Sequence, residues 1–91
     1  MLALPSQMTL NEASAALKVL LPAISAEPGP QVQLDASTLT HIDTATLSVL
    51  LACRRRASAL QRSFSVQHAP ARLVQLAKLY GVQDLLELQT A

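Results

Sequence analysis

Apolar residues recur along this chain with two different periods, and the changes from one to the other mark its elements. Met1 to Leu4 is a short apolar run stopped by Pro5, which suits an edge strand, where proline is tolerated. Thr9 to Asn11 has the residue types of a helix start, with Thr9 or Asn11 as N-cap and Glu12 in the first turn. Ala13, Leu17, Leu20, Leu21 and Ile24 follow at helical spacing. Pro22 is expected to end or kink that helix near its last turn. Glu27-Pro28-Gly29-Pro30 is a loop by composition.

From Gln31 to Asp35 polar and apolar residues alternate, with Val32 and Leu34 on one side, as in a strand. Ala36 to His41 leads through Ile42 to Asp43-Thr44-Ala45-Thr46, which opens the strongest helical pattern of the chain. Thr46, Leu50, Cys53, Ala57 and Leu60 step by four and three, and Leu47 and Val49 to Leu51 widen the stripe. The far face carries Arg55, Ser58 and Arg62, and the helix is expected to run to about Gln61. Ser63 to His68 alternates again, around Phe64 and Val66. Pro70 suits the first position of a further helix through Leu73, Leu76, Ala77 and Tyr80, with Gly81 as its C-cap. Val82 to Leu88 fits a last strand or a short helix, and Asp84-Leu85-Leu86-Glu87 favours the helix. Strands and helices thus alternate, which predicts one α/β domain over residues 1–91 with a largely parallel sheet and helices packed on it.

Composition narrows the functions open to such a domain. The formal net charge is +1, and the aromatic residues are Phe64 and Tyr80 alone. Neither a general attraction to nucleic acid or anionic membrane nor a base-stacking platform is expected. The single cysteine, Cys53, precludes an internal disulfide and fits a reducing compartment. No secretory signal pattern is visible, and no apolar run approaches the roughly 20 residues that span a bilayer. A cytoplasmic protein without membrane insertion is expected.

Chemistry has few places to reside. Gly29 and Gly81 are the only glycines and neither belongs to a phosphate-binding loop. His41 and His68 lack metal-ligand spacing, and no base is placed beside Cys53, so no metal, cofactor or catalytic role is expected. Asp43-Thr44-Ala45-Thr46 is the exception. It sits at a strand-to-helix junction, where free N–H groups and the helix dipole meet solvent. Asp43 or Thr44 serves as N-cap there, or Thr44 or Thr46 meets a partner or a phosphate. Arg54-Arg55-Arg56 fans around the helix and forms either a solvated face or part of a patch for an acidic partner.

The segment Leu34-Asp35-Ala36-Ser37, followed by Ile42-Asp43-Thr44-Ala45-Thr46-Leu47-Ser48-Val49-Leu50-Leu51, resembles the signature of STAS domains. The resemblance implies a small α/β domain with a mostly parallel sheet of about four strands and helices mainly on one face. Within the family, Leu76-Ala77-Lys78-Leu79-Tyr80-Gly81-Val82 and Asp43-Thr44 are similar to the STAS subunit of Mla-type phospholipid-transport ABC complexes. That branch implies a non-catalytic accessory subunit. It would bind the transporter's ATPase subunit, which works with a permease, on the cytoplasmic face of the inner membrane of Gram-negative cells, in phospholipid trafficking and outer-membrane lipid asymmetry. The contacting threonine of that branch maps onto Thr44. The alternative branch, anti-sigma-factor antagonists, carries a phosphorylated serine where this chain has Ala45, and both branches usually have glycine where this chain has Thr46. The partner-binding residues expected are therefore Asp43, Thr44 and Thr46, with Arg54 and Arg55 at the rim and Lys78 and Tyr80 completing the surface.

Overall fold

The two alternating pentapeptides, too short and too strictly periodic for helix, form the centre of the sheet. The computed structural model describes residues 1–90. Its elements run β1 (Leu2–Ala3), α1 (Ala13–Ala26), β2 (Gln31–Asp35), α2 (Thr44–Ala59), β3 (Ser63–Gln67), α3 (Ala71–Leu79) and α4 (Gln83–Leu86). All pairings are parallel and the strand order is β1-β2-β3, with Val32 opposite Phe64 and Leu34 opposite Val66. Right-handed crossovers through consecutive neighbours put their helices on one face of a sheet. The burial agrees. Val32, Leu34, Phe64 and Val66 are buried in one core with Leu20, Ile24, Leu50, Leu73 and Leu86. Gln31, Gln33, Asp35, Ser63, Ser65 and Gln67 leave the opposite face polar and at least partly exposed.

The fourth strand expected from the sequence is reduced to a single residue. Leu88 bridges Val66 on the outer side of β3: the Val66 N–H donates to the Glu87 carbonyl at 3.2 Å, and the Gln89 N–H donates to the Val66 carbonyl at 2.8 Å. The preceding segment is the short helix α4, ended at Glu87 with φ 48°. The helix-or-strand ambiguity of residues 82–88 thus resolves as helix followed by one bridge.

Helix α1 starts later than its punctuation suggested. Thr9 and Glu12 form a turn ahead of it: the Thr9 N–H donates to the Glu12 carboxylate at 3.0 Å, and the Glu12 N–H donates to the Thr9 carbonyl at 3.0 Å. Regular helix then begins at Ala13, with Glu12 rather than Thr9 or Asn11 at the N-cap position. Pro22 does not end the helix, which continues to Ala26. Pro22 and Lys18, whose carbonyl loses its usual donor, are both exposed, so water can serve that carbonyl.

Helices α2 and α3 close with the same device. In α2 the Gln61 N–H reaches the Ser58 carbonyl and the Arg62 N–H reaches the Ala57 carbonyl, both at 2.9 Å. In α3 Gly81 and Val82 make the equivalent bonds to Lys78 and Ala77. This Schellman geometry needs a left-handed residue. Gly81 supplies it at φ 70°, but α2 uses Gln61 at φ 57°. Helices α1 and α2 pack most extensively, and arginines from α2 and its exit tie them. Arg56 donates to the Ser25 hydroxyl at 2.9 Å, and Arg62 donates to the carbonyls of Ile24 and Glu27 at the end of α1. No helix is long and apolar enough to cross a membrane among the described residues.

Candidate functional site

The junction between β2 and α2 is built by one carboxylate and one hydroxyl. Asp43 is extended at φ −143° and caps α2, its Oδ1 accepting from the Ala45 N–H at 2.9 Å. Its Oδ2 accepts from the Leu10 N–H at 3.1 Å, across 33 residues of sequence. The Thr46 hydroxyl accepts from the Asp43 N–H at 3.1 Å, completing a capping box, and donates to the Met8 carbonyl at 2.8 Å. Met8 is itself buried, and its N–H donates to the His41 carbonyl at 3.2 Å. The segment Met8–Leu10 is thereby locked against the start of α2.

This arrangement sorts the expected contact residues. Asp43 is half-buried and holds the turn, as expected of an N-cap. Thr44 is exposed at the first turn of α2, and its hydroxyl has no intrachain partner among the described residues. Thr46 is different. It was expected on the contact surface but has no exposed area, and both its hydrogen-bonding roles are spent inside the chain. Helical geometry explains this, because residue three of the first turn faces back over the N-cap toward the core, and a hydroxyl there is drawn to the free backbone groups.

The arginines disperse. Arg55 lies on the same face of α2 as Thr44 and Ser48, all exposed, about three turns from Thr44. Arg54 turns toward α4, where it and Arg62 border a small polar cleft with Asp84 and Glu87. Arg56 points to α1. Arg62, expected on the face of Arg55, leaves the helix at the left-handed Gln61 and is occupied at the end of α1. A single basic patch is therefore absent among the described residues. Lys78 and Tyr80 are exposed at the end of α3, which packs on α4 rather than extensively on α2.

One residue that sequence reasoning passed over belongs to the junction. Leu10 is 77% exposed, yet its backbone shares the Asp43 carboxylate with the first turn of α2. No local signal marks it, since its place depends on a contact 33 residues away. The other reactive groups lie elsewhere. Cys53 is fully buried, and desolvation pushes its thiol up to about 11. His41 is exposed, with Nδ1 beside the Thr40 hydroxyl at 3.0 Å. His68 pairs with Asp35 at 3.1 Å. The Asp35 carboxyl is held below its ordinary range, mainly by the Ser37 N–H and secondarily by the Ser37 and His68 side chains. No group of three or more His, Cys, Asp or Glu side chains that could hold a metal occurs among the described residues.

The junction presents a helix start braced by Asp43 and Thr46, an exposed Thr44 hydroxyl without an intrachain partner among the described residues, and an exposed face leading through Ser48 to Arg55. No curated protein matches the chain. A family model described as "Mlab, STAS domain" matches residues 1–87, nearly the whole chain, and the parallel three-stranded sheet with its four helices is consistent with a small STAS-type α/β domain. The chain belongs to the STAS domain family and is of the MlaB-like kind.

Proposed function

We propose that this protein is a non-catalytic accessory subunit that binds the cytoplasmic ATPase subunit of an ABC transporter moving phospholipid, and that Thr44 lies at the centre of the contact. The observation that carries this reading is the state of Thr44. It stands exposed on a helix start fixed by Asp43 and Thr46, with its hydroxyl unengaged within the chain. A partner group can bond it without first breaking an internal bond, and a rigid site spends little ordering entropy on binding. Membership in the MlaB-like STAS family supports the choice of partner. Arg55, on the same face, would meet an acidic rim and affect association rate more than affinity. Arg54, Lys78 and Tyr80 remain outer members of the proposed surface. The protein would then reside in the cytoplasm, held at the inner membrane through the ATPase and its permease. Ala45 offers no hydroxyl at the position phosphorylated in the antagonist branch, which counts against a partner-switching role.

The test is binding of the purified chain to the ATPase subunit from the same organism, with ATP hydrolysis measured alongside. Thr44→Ala is expected to keep the wild-type melting temperature and to weaken binding. Wild-type affinity in that variant would remove Thr44 from the contact, and no binding by the unmodified chain would remove the function itself.

A further inference from the structure

The two edges of the sheet are guarded differently. A strand edge is a row of N–H and C=O groups that another chain can pair with, and proteins blunt it by shortness, proline, charge or a covering segment. At one edge β1 is two residues long and is soon followed by Pro5. At the other, β3 has five residues, Ser63-Phe64-Ser65-Val66-Gln67, with no charge, proline or glycine among them. Its protection comes from the segment after α4. The Val66 N–H donates to the Glu87 carbonyl at 3.2 Å, the Gln89 N–H donates to the Val66 carbonyl at 2.8 Å, and the Ala69 N–H donates to the Gln89 carbonyl at 2.8 Å. Both outward backbone groups of Val66 are taken up in this way.

The hold is slight and lies beyond a hinge. Helix α4 is anchored by the fully buried Leu86. After it, Glu87 is left-handed at φ 48°. Beyond that turn Leu88 is only partly buried against the core, and Gln89 and Thr90 are exposed. Segments with few buried apolar contacts and solvent-facing backbone bonds open before the rest of a fold. We infer that residues 87–90 are a detachable strap that closes the β3 edge, and that the edge it uncovers pairs with β3 of a second copy of this chain. The occupant follows from the strand itself. Two identical uncharged segments meet without repulsion, and a two-fold axis sets their edges antiparallel, with Ser65, the middle residue of β3, at the centre. The inference does not depend on the proposed ATPase contact.

The experiment uses the full chain, with hydrogen exchange read by NMR and sedimentation measured over a range of concentrations. In the wild type the protection factors of the Val66 and Ala69 amides are expected to fall together, at least about tenfold below that of Ala36, whose N–H is bonded to the Gln67 carbonyl on the inner side of β3. Equal protection of all three would make the segment a fixed part of the sheet and overturn the inference. Leu88→Asp places a charge where the strap meets the core. It is expected to strip protection from Val66 and Ala69, to keep native circular dichroism, and to self-associate as concentration rises. Gln89→Pro removes one donor to Val66 and no buried side chain, so it carries the test if Leu88→Asp unfolds; the same changes are expected to a lesser degree. Adding Ser65→Lys to either variant sets like charges opposite each other and is expected to restore the wild-type sedimentation. Full protection of both amides in both variants overturns the inference, because the strap would not detach. An open edge without self-association overturns it as well, and so does association that persists with Ser65→Lys, since the contact would then lie elsewhere.

Discussion

Replacing Thr46 by valine separates the two threonines of the junction by their energetics. The change keeps the side-chain shape and removes only the hydroxyl. In the native chain that hydroxyl donates to the buried Met8 carbonyl at 2.8 Å and accepts from the Asp43 N–H at 3.1 Å. An unpartnered buried polar group costs about 1–3 kcal/mol. The Met8 carbonyl is fully enclosed, while the Asp43 N–H is only half-buried and falls at the low end, so the total is about 2–4 kcal/mol. For 91 residues the whole stability is about 5–14 kcal/mol. The loss is thus a large fraction, and it lowers the melting temperature by at least about 8 °C. Thr44→Val, at an exposed position without an intrachain partner, changes stability by less than about 0.5 kcal/mol. Thermal and urea unfolding followed by circular dichroism reads both. A Thr46→Val protein melting within about 3 °C of wild type would mean that the hydroxyl does not hold the junction. Equal losses in the two variants would mean that Thr44 is not the free group.

Three other outcomes are expected. Asp35 has a depressed folded pKa, so its contribution is fully present above the ordinary value of 3.8 and is lost as pH falls through the lower folded value. Asp35→Asn should flatten the acid limb of the urea midpoint measured against pH, and an unchanged limb would show that the Ser37 and His68 contacts do not persist in solution. Cys53, with its thiol pushed up to about 11 by burial, should resist a disulfide reagent at pH 8 in the native protein and react at once in denaturant. Gln61→Gly should raise stability by about 0.5–1 kcal/mol, because the relieved left-handed strain exceeds the added unfolded-state entropy. A lower melting temperature in that variant would show that the Gln61 side chain supports the end of α2.

The elements that sequence disclosed most fully are those whose pattern is local. Gln31–Asp35 is observed with the expected boundaries, and Ser63–Gln67 ends one residue earlier than expected, because period-two alternation depends only on which face is buried. Asp43 and Gly81 were legible as caps for the same reason, since capping is a matter of a few adjacent residues. Contacts between distant segments were not legible. Nothing near Thr46 announces that Met8 will claim its hydroxyl, and nothing near Leu10 announces Asp43. Arg62 follows the stripe of Arg55 only if the helix continues, and a left-handed Gln61 turns the chain away first. At Pro22, of the two outcomes expected, ending the helix is excluded, since the helix continues to Ala26 and the exposed Lys18 carbonyl can do without the missing N–H.

The bond between Thr46 and Met8 spans 38 residues, and that span has a kinetic meaning. Closing a loop of that length costs about 3 kcal/mol of chain entropy before any contact repays it. The junction therefore cannot assemble as an independent local unit. It forms only as α1 and β2, which lie between its two halves, take their places against the sheet. The braced helix start that carries Thr44 is thus a product of cooperative folding, and a chain that displays it has already completed the rest of its core. A partner that bound at Thr44, as proposed, would also be reading whether the chain is folded.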